Sequence, residues 1–349
     1  MARWQKIPEF VARVMPTVRK SQRDTTAELL DGLLASQQIG LSSIACGMRD
    51  DTTVKHRIKR AGRFCQNHRI PMQRLFDGLA EYLLAPNRMN VVALDWTSIG
   101  DYMLLEASLI IGRRAVPIAW RCVWESHYDK SRNDEEEQVV EQLIQAAGDR
   151  DWVLVADRGF GRADFFRWLN ERKVKFVIRV TGQTFIEHPW FTGAIGNLPR
   201  RARSGWMYRN VRYRKQSPVV LNLACHHREP APEPWYLATN MDISAPKAAS
   251  LYAKRMGIEE GIRDQKTGLG LKHLWLGSPD RMERAMILVA LAVILAVLTG
   301  AASVARGDRL YLSNLKRTGP PLSLFALGLR IINQYPRLLS SSRRPLHVA

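Results

Sequence analysis

With 349 residues and 46% hydrophobic content, the chain can bury a large core and form two or three domains. Fifty-two Lys and Arg against 33 Asp and Glu leave a net charge of +19 and a pI of about 10.2. Solubility does not require so lopsided a balance, which points to a polyanionic partner, nucleic acid ahead of an anionic membrane.

Residues 1–85 read as helical. AELLDGLL and RLFDGLAEYLL have helical apolar spacing, with Gly40, Gly47, Gly62 and Pro71 as punctuation. Within VKHRIKRAGRF, the cations Lys55, Arg57, Lys59, Arg60 and Arg63 interleave with Val54, Ile58 and Phe64. Such a helix could lie on DNA or could be a solvated basic face. After Ala85-Pro86-Asn87 the pattern turns to strands. NVVALDWTSI reads as a buried strand ending in a polar cluster, and YMLLEASLIIGRRAVPIAWRCVW as a hairpin around Gly112-Arg113-Arg114.

DEEEQVVEQLIQAA predicts a helix whose first turn holds Asp134, Glu135, Glu136 and Glu137. Acids there favour the macrodipole, so the cluster reads as structural. DWVLVADRGFG is a second buried strand, ending at Asp157 before a glycine turn. RADFFRWLNERK is an amphipathic helix and VKFVIRV a further strand. Residues 181–232 lose helical periodicity and hold β-like runs such as WMYRNVRYR and PVVLNLAC, which predicts a β-rich insertion. WYLATN returns to a strand. AMILVALAVILAVLTGAASVA, residues 285–305, is long enough to cross a bilayer, but its Ala-rich core reads better as a buried central helix. A basic C-terminal segment follows, with Pro320-Pro321 and a loose final SSSRRP.

The four cysteines show no CxxC pair and no zinc spacing. Cys225-His226-His227 reads as a strand end rather than a soft-metal cluster. Reduced thiols fit a cytoplasmic protein, and no apolar leader is evident at the N-terminus.

The site-like residues fall in three places. Asp95 follows VVAL and Asp157 follows VLVA, and an Asp ending an apolar run is a turn residue as readily as a functional one. On neighbouring strands the two carboxylates could meet. The third place is LYAKRMGIEEGIRDQK. If it is one helix, Tyr252, Arg255, Glu259 and Lys266 project from a face about 60° wide. The bland reading of that stripe is a solvated face with weak ion pairs. The alternative is a third carboxylate, with cations for phosphates and a phenol to stack. Three hard oxygen ligands suit Mg²⁺ or Mn²⁺, and two such ions can drive an in-line displacement at phosphorus.

These residues resemble the DDE transposases of bacterial insertion sequences, in the branch named for insertion sequence four. Its Y-(2)-R-(3)-E-(6)-K signature matches Tyr252, Arg255, Glu259 and Lys266 with every gap kept. ALDWTSI resembles the first-Asp motif, with Asp95 as the carboxylate, and VADRGFG the second, with Asp157 and the adjacent Arg158. The resemblance covers about residues 50–305.

It implies an α/β fold: an RNase H-like catalytic core, a mixed sheet flanked by helices, at residues 86–180 and 233–305. A β-rich insertion at 181–232, a helical N-terminal DNA-binding domain at 1–85 and a basic C-terminal segment at 306–349 complete the expected organisation. Asp95, Asp157 and Glu259 would be catalytic and bind Mg²⁺ or Mn²⁺, as two ions. Tyr252, Arg255, Lys266 and Arg158 would contact DNA, with Lys55, Arg57, Lys59 and Arg60 on the terminal repeat. In relatives a Trp of the insertion can hold a flipped base during DNA hairpin formation. Trp235 is the nearest candidate and reads equally as core packing, with Trp190 and Trp206 as weaker ones. The implied activity is metal-dependent cleavage of transposon ends and joining of the 3′-hydroxyl to target double-stranded DNA. A dimer on the DNA, a nucleoid-associated cytoplasmic location and no membrane association go with it. A nuclease that does not transpose, and an inactive DNA-binding repressor, are the rival expectations.

Overall fold

The computed structural model describes residues 3–198, 205–227, 233–307 and 322–334. Pro320-Pro321, the final SSSRRP, and residues 199–204 and 228–232 of the expected insertion lie outside them. Five helices come first: α1 (Arg3–Val14), α2 (Lys20–Ser36), α3 (Leu41–Gly47), α4 (Val54–Cys65) and α5 (Met72–Leu83). Strands β1 (Asn90–Ile99), β2 (Tyr102–Ile111) and β3 (Arg114–Trp124) precede α6 (Glu125–Ala147) and β4 (Trp152–Ala156). Next are α7 (Ala163–Glu171), β5 (Lys175–Val180), β6 (Phe185–His188), β7 (Phe191–Ala194), β8 (Trp206–Tyr213), β9 (Val219–His226) and β10 (Trp235–Thr239). The last described elements are α8 (Ala245–Ala253), α9 (Met256–Arg263), α10 (Pro279–Arg306) and α11 (Leu324–Gln334).

The fold is mixed α/β. Ten strands join in the order β3-β2-β1-β4-β5-β10-β9-β8-β6-β7. β1, β4 and β5 run parallel, and most of the other neighbours pair antiparallel. Residues divide into two compact units. One holds Met1–Ala85, Trp96–Asp149 and Gly257–Ala349; the other holds Pro86–Asp95 and Arg150–Met256.

In the first unit, α10 is the core element. Ser278 caps it by accepting from the Arg281 N–H, Pro279 opens it, and Gly307 at φ 82° ends it in the left-handed region that glycine adopts freely. It is long and apolar enough to cross a membrane, yet 83% of its most apolar 18-residue window is buried against protein. Ile287, Val289, Leu291, Val293 and Ile294 are fully buried, and each contributes roughly 1.5–3 kcal/mol of transfer free energy. Gly300 and Gly328 let α10 and α11 cross backbone to backbone. A Cβ at Gly328 would overlap the Ala296 carbonyl oxygen, and one at Gly300 that of Leu324.

In the second unit, β1 pairs with β4 from Asn90↔Trp152 to Leu94↔Ala156, and β4 pairs in turn with β5. Residues 90–94 and 152–156 are buried throughout, which is why both strands read as continuous apolar runs. α7 and α8 pack on this part of the sheet. β6 to β9 form the β-rich segment between Asp157 and Glu259, as the loss of helical periodicity predicts.

Two sequence expectations need correction. The helix before β4 begins at Glu125, so Asp134–Glu137 sit in its interior. ESHYDKSRN is polar but holds no Gly or Pro to stop a helix, and the acids serve as ion-pair partners rather than macrodipole ligands. Glu136 is fully buried and accepts from Trp96 Nε1 and Arg132 Nε, both at 2.9 Å, while Glu135 pairs with Arg121 at 2.8 Å. β1 spans Asn90–Ile99, the whole NVVALDWTSI run read as a strand, so Asp95 lies within it at the point where the pairing with β4 stops.

The second correction concerns the stripe. LYAKRMGIEEGIRDQK is not one helix: α8 ends at Ala253, Lys254 and Arg255 form a turn, α9 follows, and Asp264–Gly268 is a single π-helical turn. The common 60° face therefore does not exist as one helical surface. Gly257 and Gly261 fit α9 closely over the β2–β3 hairpin, where a Cβ would lie 3.3 Å from Ile110 Cδ1 and 3.0 Å from the Ala115 carbonyl oxygen.

Candidate active site

In the second unit, Asp95 and Asp157 each follow the last residues of the β1–β4 ladder, Leu94 and Ala156, by one step. Parallel neighbours lie about 4.8 Å apart, so this register brings the two aspartates side by side at the carboxyl ends of the paired segments. Both are partly buried. Asp157 caps a 3₁₀ turn, Arg158–Phe160: its Oδ1 accepts from the Gly159 N–H at 2.7 Å. That Asx turn fixes the carboxylate with backbone alone and leaves the Arg158 side chain exposed beside it.

Asp95 is held by charge. Arg255 Nη1 lies 3.4 Å from Asp95 Oδ2, and the side chains are only 10% and 18% exposed. The sequence reading gave Arg255 to phosphate; in the structure it is buried and faces a carboxylate. The Arg255 guanidinium also lies 5.9 Å from the centre of the Tyr252 ring. Tyr252 meets Trp235 edge to face, with centroids 5.0 Å apart. Trp235, Tyr252, Arg255 and Asp95 thus form one contact chain from the first strand of the pair to the start of β10. Nothing in local sequence could reveal it, because Asp95 and Arg255 are 160 residues apart. Trp235 is half-buried and opens β10, so it packs and is reachable at once. Trp190 is 73% exposed and Trp206 38%.

Glu259 and Lys266 belong to the first unit. Their neighbours anchor the segment: Arg114 on β3 pairs with Glu260 at 2.8 Å and Asp264 at 3.4 Å, and buried Gln265 donates to Glu106 at 3.1 Å. Glu259 is left exposed and Lys266 half-buried in the π turn. Burial pushes the Asp264 carboxyl up to about 6, with Glu260 adding to the rise and Arg114 and Arg263 opposing it.

On α4, Arg57 and Arg60 are tied down. Both bond Asp50, and Arg60 also meets Glu28 at 2.7 Å. Burial opposes ionisation of Asp50, but hydrogen bonds from Thr52, Arg57 and Arg60 outweigh it and hold the carboxyl well below its usual range. Lys55, Lys59 and Arg63, spaced four apart, remain exposed along one side. Burial pushes the Cys225 thiol up to about 12.

Among the described residues, no group of three or more His, Cys, Asp and Glu side chains is set to hold a metal ion. The donor chemistry of Asp95 and Asp157 still fits a hard divalent cation. They are two carboxylates side by side, one fixed by a backbone N–H and one by a cation that an incoming metal could displace.

Two adjacent carboxylates at the end of the β1–β4 pairing, one of them facing a buried Arg, are the candidate site of this α/β fold. Residues 126–295 match the family model described as a transposase DDE domain, which supports a transposase of the DDE kind. The matched stretch contains Asp157, Tyr252, Arg255, Glu259 and Lys266 and begins after Asp95. No curated protein matches the chain. Among solved structures, the cryo-EM structure of a piggyBac transposase synaptic complex with hairpin DNA is similar, with a TM-score of 0.43 and 13% identity. That similarity covers 97% of this chain and 73% of the other.

Proposed function

We propose that this chain is a DNA transposase of the insertion-sequence-four branch, built on an RNase H-like core. It binds transposon ends, cleaves them by metal-dependent hydrolysis and joins the freed 3′-hydroxyl to target DNA. The observation that carries this reading is the side-by-side register of Asp95 and Asp157, with Arg255 on Asp95, in a chain matched to a transposase DDE domain. The mixed sheet, the β-rich segment before Glu259 and the +19 charge support it.

Asp95, Asp157 and Glu259 would hold Mg²⁺ or Mn²⁺, which when bound supplies Lewis acidity to the attacking and leaving oxygens. Asp157 is pre-oriented by its Asx turn. Arg255 holds Asp95 and neutralises part of the charge that two adjacent carboxylates bring together. Arg158, exposed next to Asp157, and Lys266 suit phosphate oxygens, Arg as a fork and Lys as a point charge. Trp235, half-buried at the start of β10, offers an aromatic face for an unstacked base, whereas Tyr252 is buried and supports Trp235 from behind rather than reaching DNA itself. Lys55 and Lys59 present cations on α4 for recognition of the terminal repeat, and the working complex is a dimer on two ends in the bacterial cytoplasm.

The test uses DNA carrying the inverted repeats that flank the gene, incubated with the protein, Mg²⁺ and a supercoiled target. Joined products bearing the repeat on a 3′ end support transposition. Nicks without joining leave a nuclease, and binding without nicks leaves a repressor.

A further inference from the structure

The second unit has a cleft of about 700 Å³ that the proposed chemistry does not use. Three segments form it: Arg162 at the start of α7, the turn after β5 with Thr181, Gln183 and Thr184, and the β8–β9 turn with Arg214 and Lys215. Polar and apolar atoms share its lining about equally, and three cations stand among them. The acid that lines it, Asp164, is held by Arg167 at 2.8 Å, so Arg162, Arg214 and Lys215 set the sign of the field. Small-molecule pockets are mostly apolar with a few polar groups. A cleft of cations and hydroxyl and amide donors is suited instead to phosphates and sugars. Arg214 and Ser217 have φ of 66° and 46°, in the left-handed region where Gly or Asn costs least. The turn thus carries a long cation where turn stability alone would favour a small residue.

The cleft is also wired to Asp157. Tyr213, fully buried beside Arg214, donates its hydroxyl to the Gly161 carbonyl at 2.9 Å. Arg162 Nη1 donates to the Gly159 carbonyl at 3.2 Å. Two lining elements therefore hold the backbone of the loop that begins at Asp157.

We propose that this cleft binds the phosphodiester backbone of duplex DNA through Arg162, Arg214 and Lys215, as a second anchor beside the paired aspartates. The proposal rests on the transposase reading. The duplex could be transposon-end or target DNA, and the experiment separates them. Full-length protein is titrated onto two labelled duplexes, one with the terminal repeat and one of unrelated sequence, across a range of salt. Arg214→Gln/Lys215→Gln is compared with Arg172→Gln/Lys173→Gln. The latter removes the same charge at the opposite end of α7, roughly 15 Å from Arg162 along the helix.

The cleft variant is expected to lower the salt slope by about 1.8, at about 0.9 per phosphate contact, on the duplex that the cleft holds. Arg214→Lys/Lys215→Arg should restore most of it. A loss on the repeat duplex alone assigns the cleft to the transposon end, a loss on the unrelated duplex alone to the target, and a loss on both to backbone in general. A cleft variant that matches the wild type, or a control that loses as much, overturns the cleft while leaving the transposase reading intact. A wild-type protein with no affinity for either duplex overturns both. Circular dichroism of each variant checks that the exposed β8–β9 turn tolerates the change.

Discussion

Arg255→Met would remove the buried cation that faces Asp95. At 3.4 Å, two unit charges attract by about 5 kcal/mol at an effective dielectric constant of about 20. Desolvation of both groups offsets much of this, because the pair is 10% and 18% exposed. The net coupling is therefore expected at about 1–3 kcal/mol. The single Arg255→Met change should cost more, about 3 kcal/mol or above, since it strands a carboxylate charge in a half-buried site. Asp95→Asn should relieve that cost, so the double variant is more stable than the sum of the singles implies. Urea unfolding of the wild type, both singles and the double variant gives the cycle. Additivity within about 0.5 kcal/mol would show that the two residues do not hold each other, and Arg255 would return to a purely DNA-contacting role.

Two further outcomes follow from the first unit. Asp264 titrates near about 6 in the folded chain against 3.8 for the unfolded group, because burial disfavours its ion. Its folded value is raised, so the cost is absent below about 3.8, grows as pH rises through the window to about 6, and is complete above it. Asp264→Asn should therefore gain stability relative to the wild type between pH 4 and pH 7.5, and a difference that shrinks over that range in denaturant titrations would contradict the assignment. Gly328→Ala should destabilise by about 3 kcal/mol or more, because its methyl group would displace the Ala296 backbone of α10. Unfolding at an unchanged urea midpoint would mean that the two helices can separate at no cost.

Much of this was legible in the residues. β1 and β4 announced themselves as apolar runs, and a place for both aspartates just past their last paired residues, Leu94 and Ala156, followed, although β1 itself continues to Ile99. The β2–β3 hairpin around Gly112, at φ 62°, was equally plain. Tertiary contact was not. Arg255 looks like a phosphate ligand in a local stripe, and only the fold turns it onto a carboxylate 160 residues away. The broken helix was hidden because nothing in KRM, where the chain turns between α8 and α9, is a helix breaker, and the glycines that could have signalled one, Gly257 and Gly261, lie inside α9. The early start of α6 was hidden because polar ESHYDKSRN has no apolar period. Its helicity comes from contacts such as Arg132–Glu136. The wiring of Tyr213 to Gly161 had no sequence signal at all.

The proposed chemistry requires Asp95, Asp157 and Glu259. Its most direct test is the rate of nicking of terminal-repeat DNA in Mg²⁺ by Asp95→Asn, Asp157→Asn and Glu259→Gln, each with its DNA affinity measured alongside. Loss of a metal ligand should remove at least about 4 kcal/mol of transition-state stabilisation, a rate loss of about a thousandfold, with affinity kept within about tenfold. A variant that nicks at the wild-type rate would remove its residue from the site, and if that residue were Asp157 or Asp95, the paired register would have no catalytic meaning.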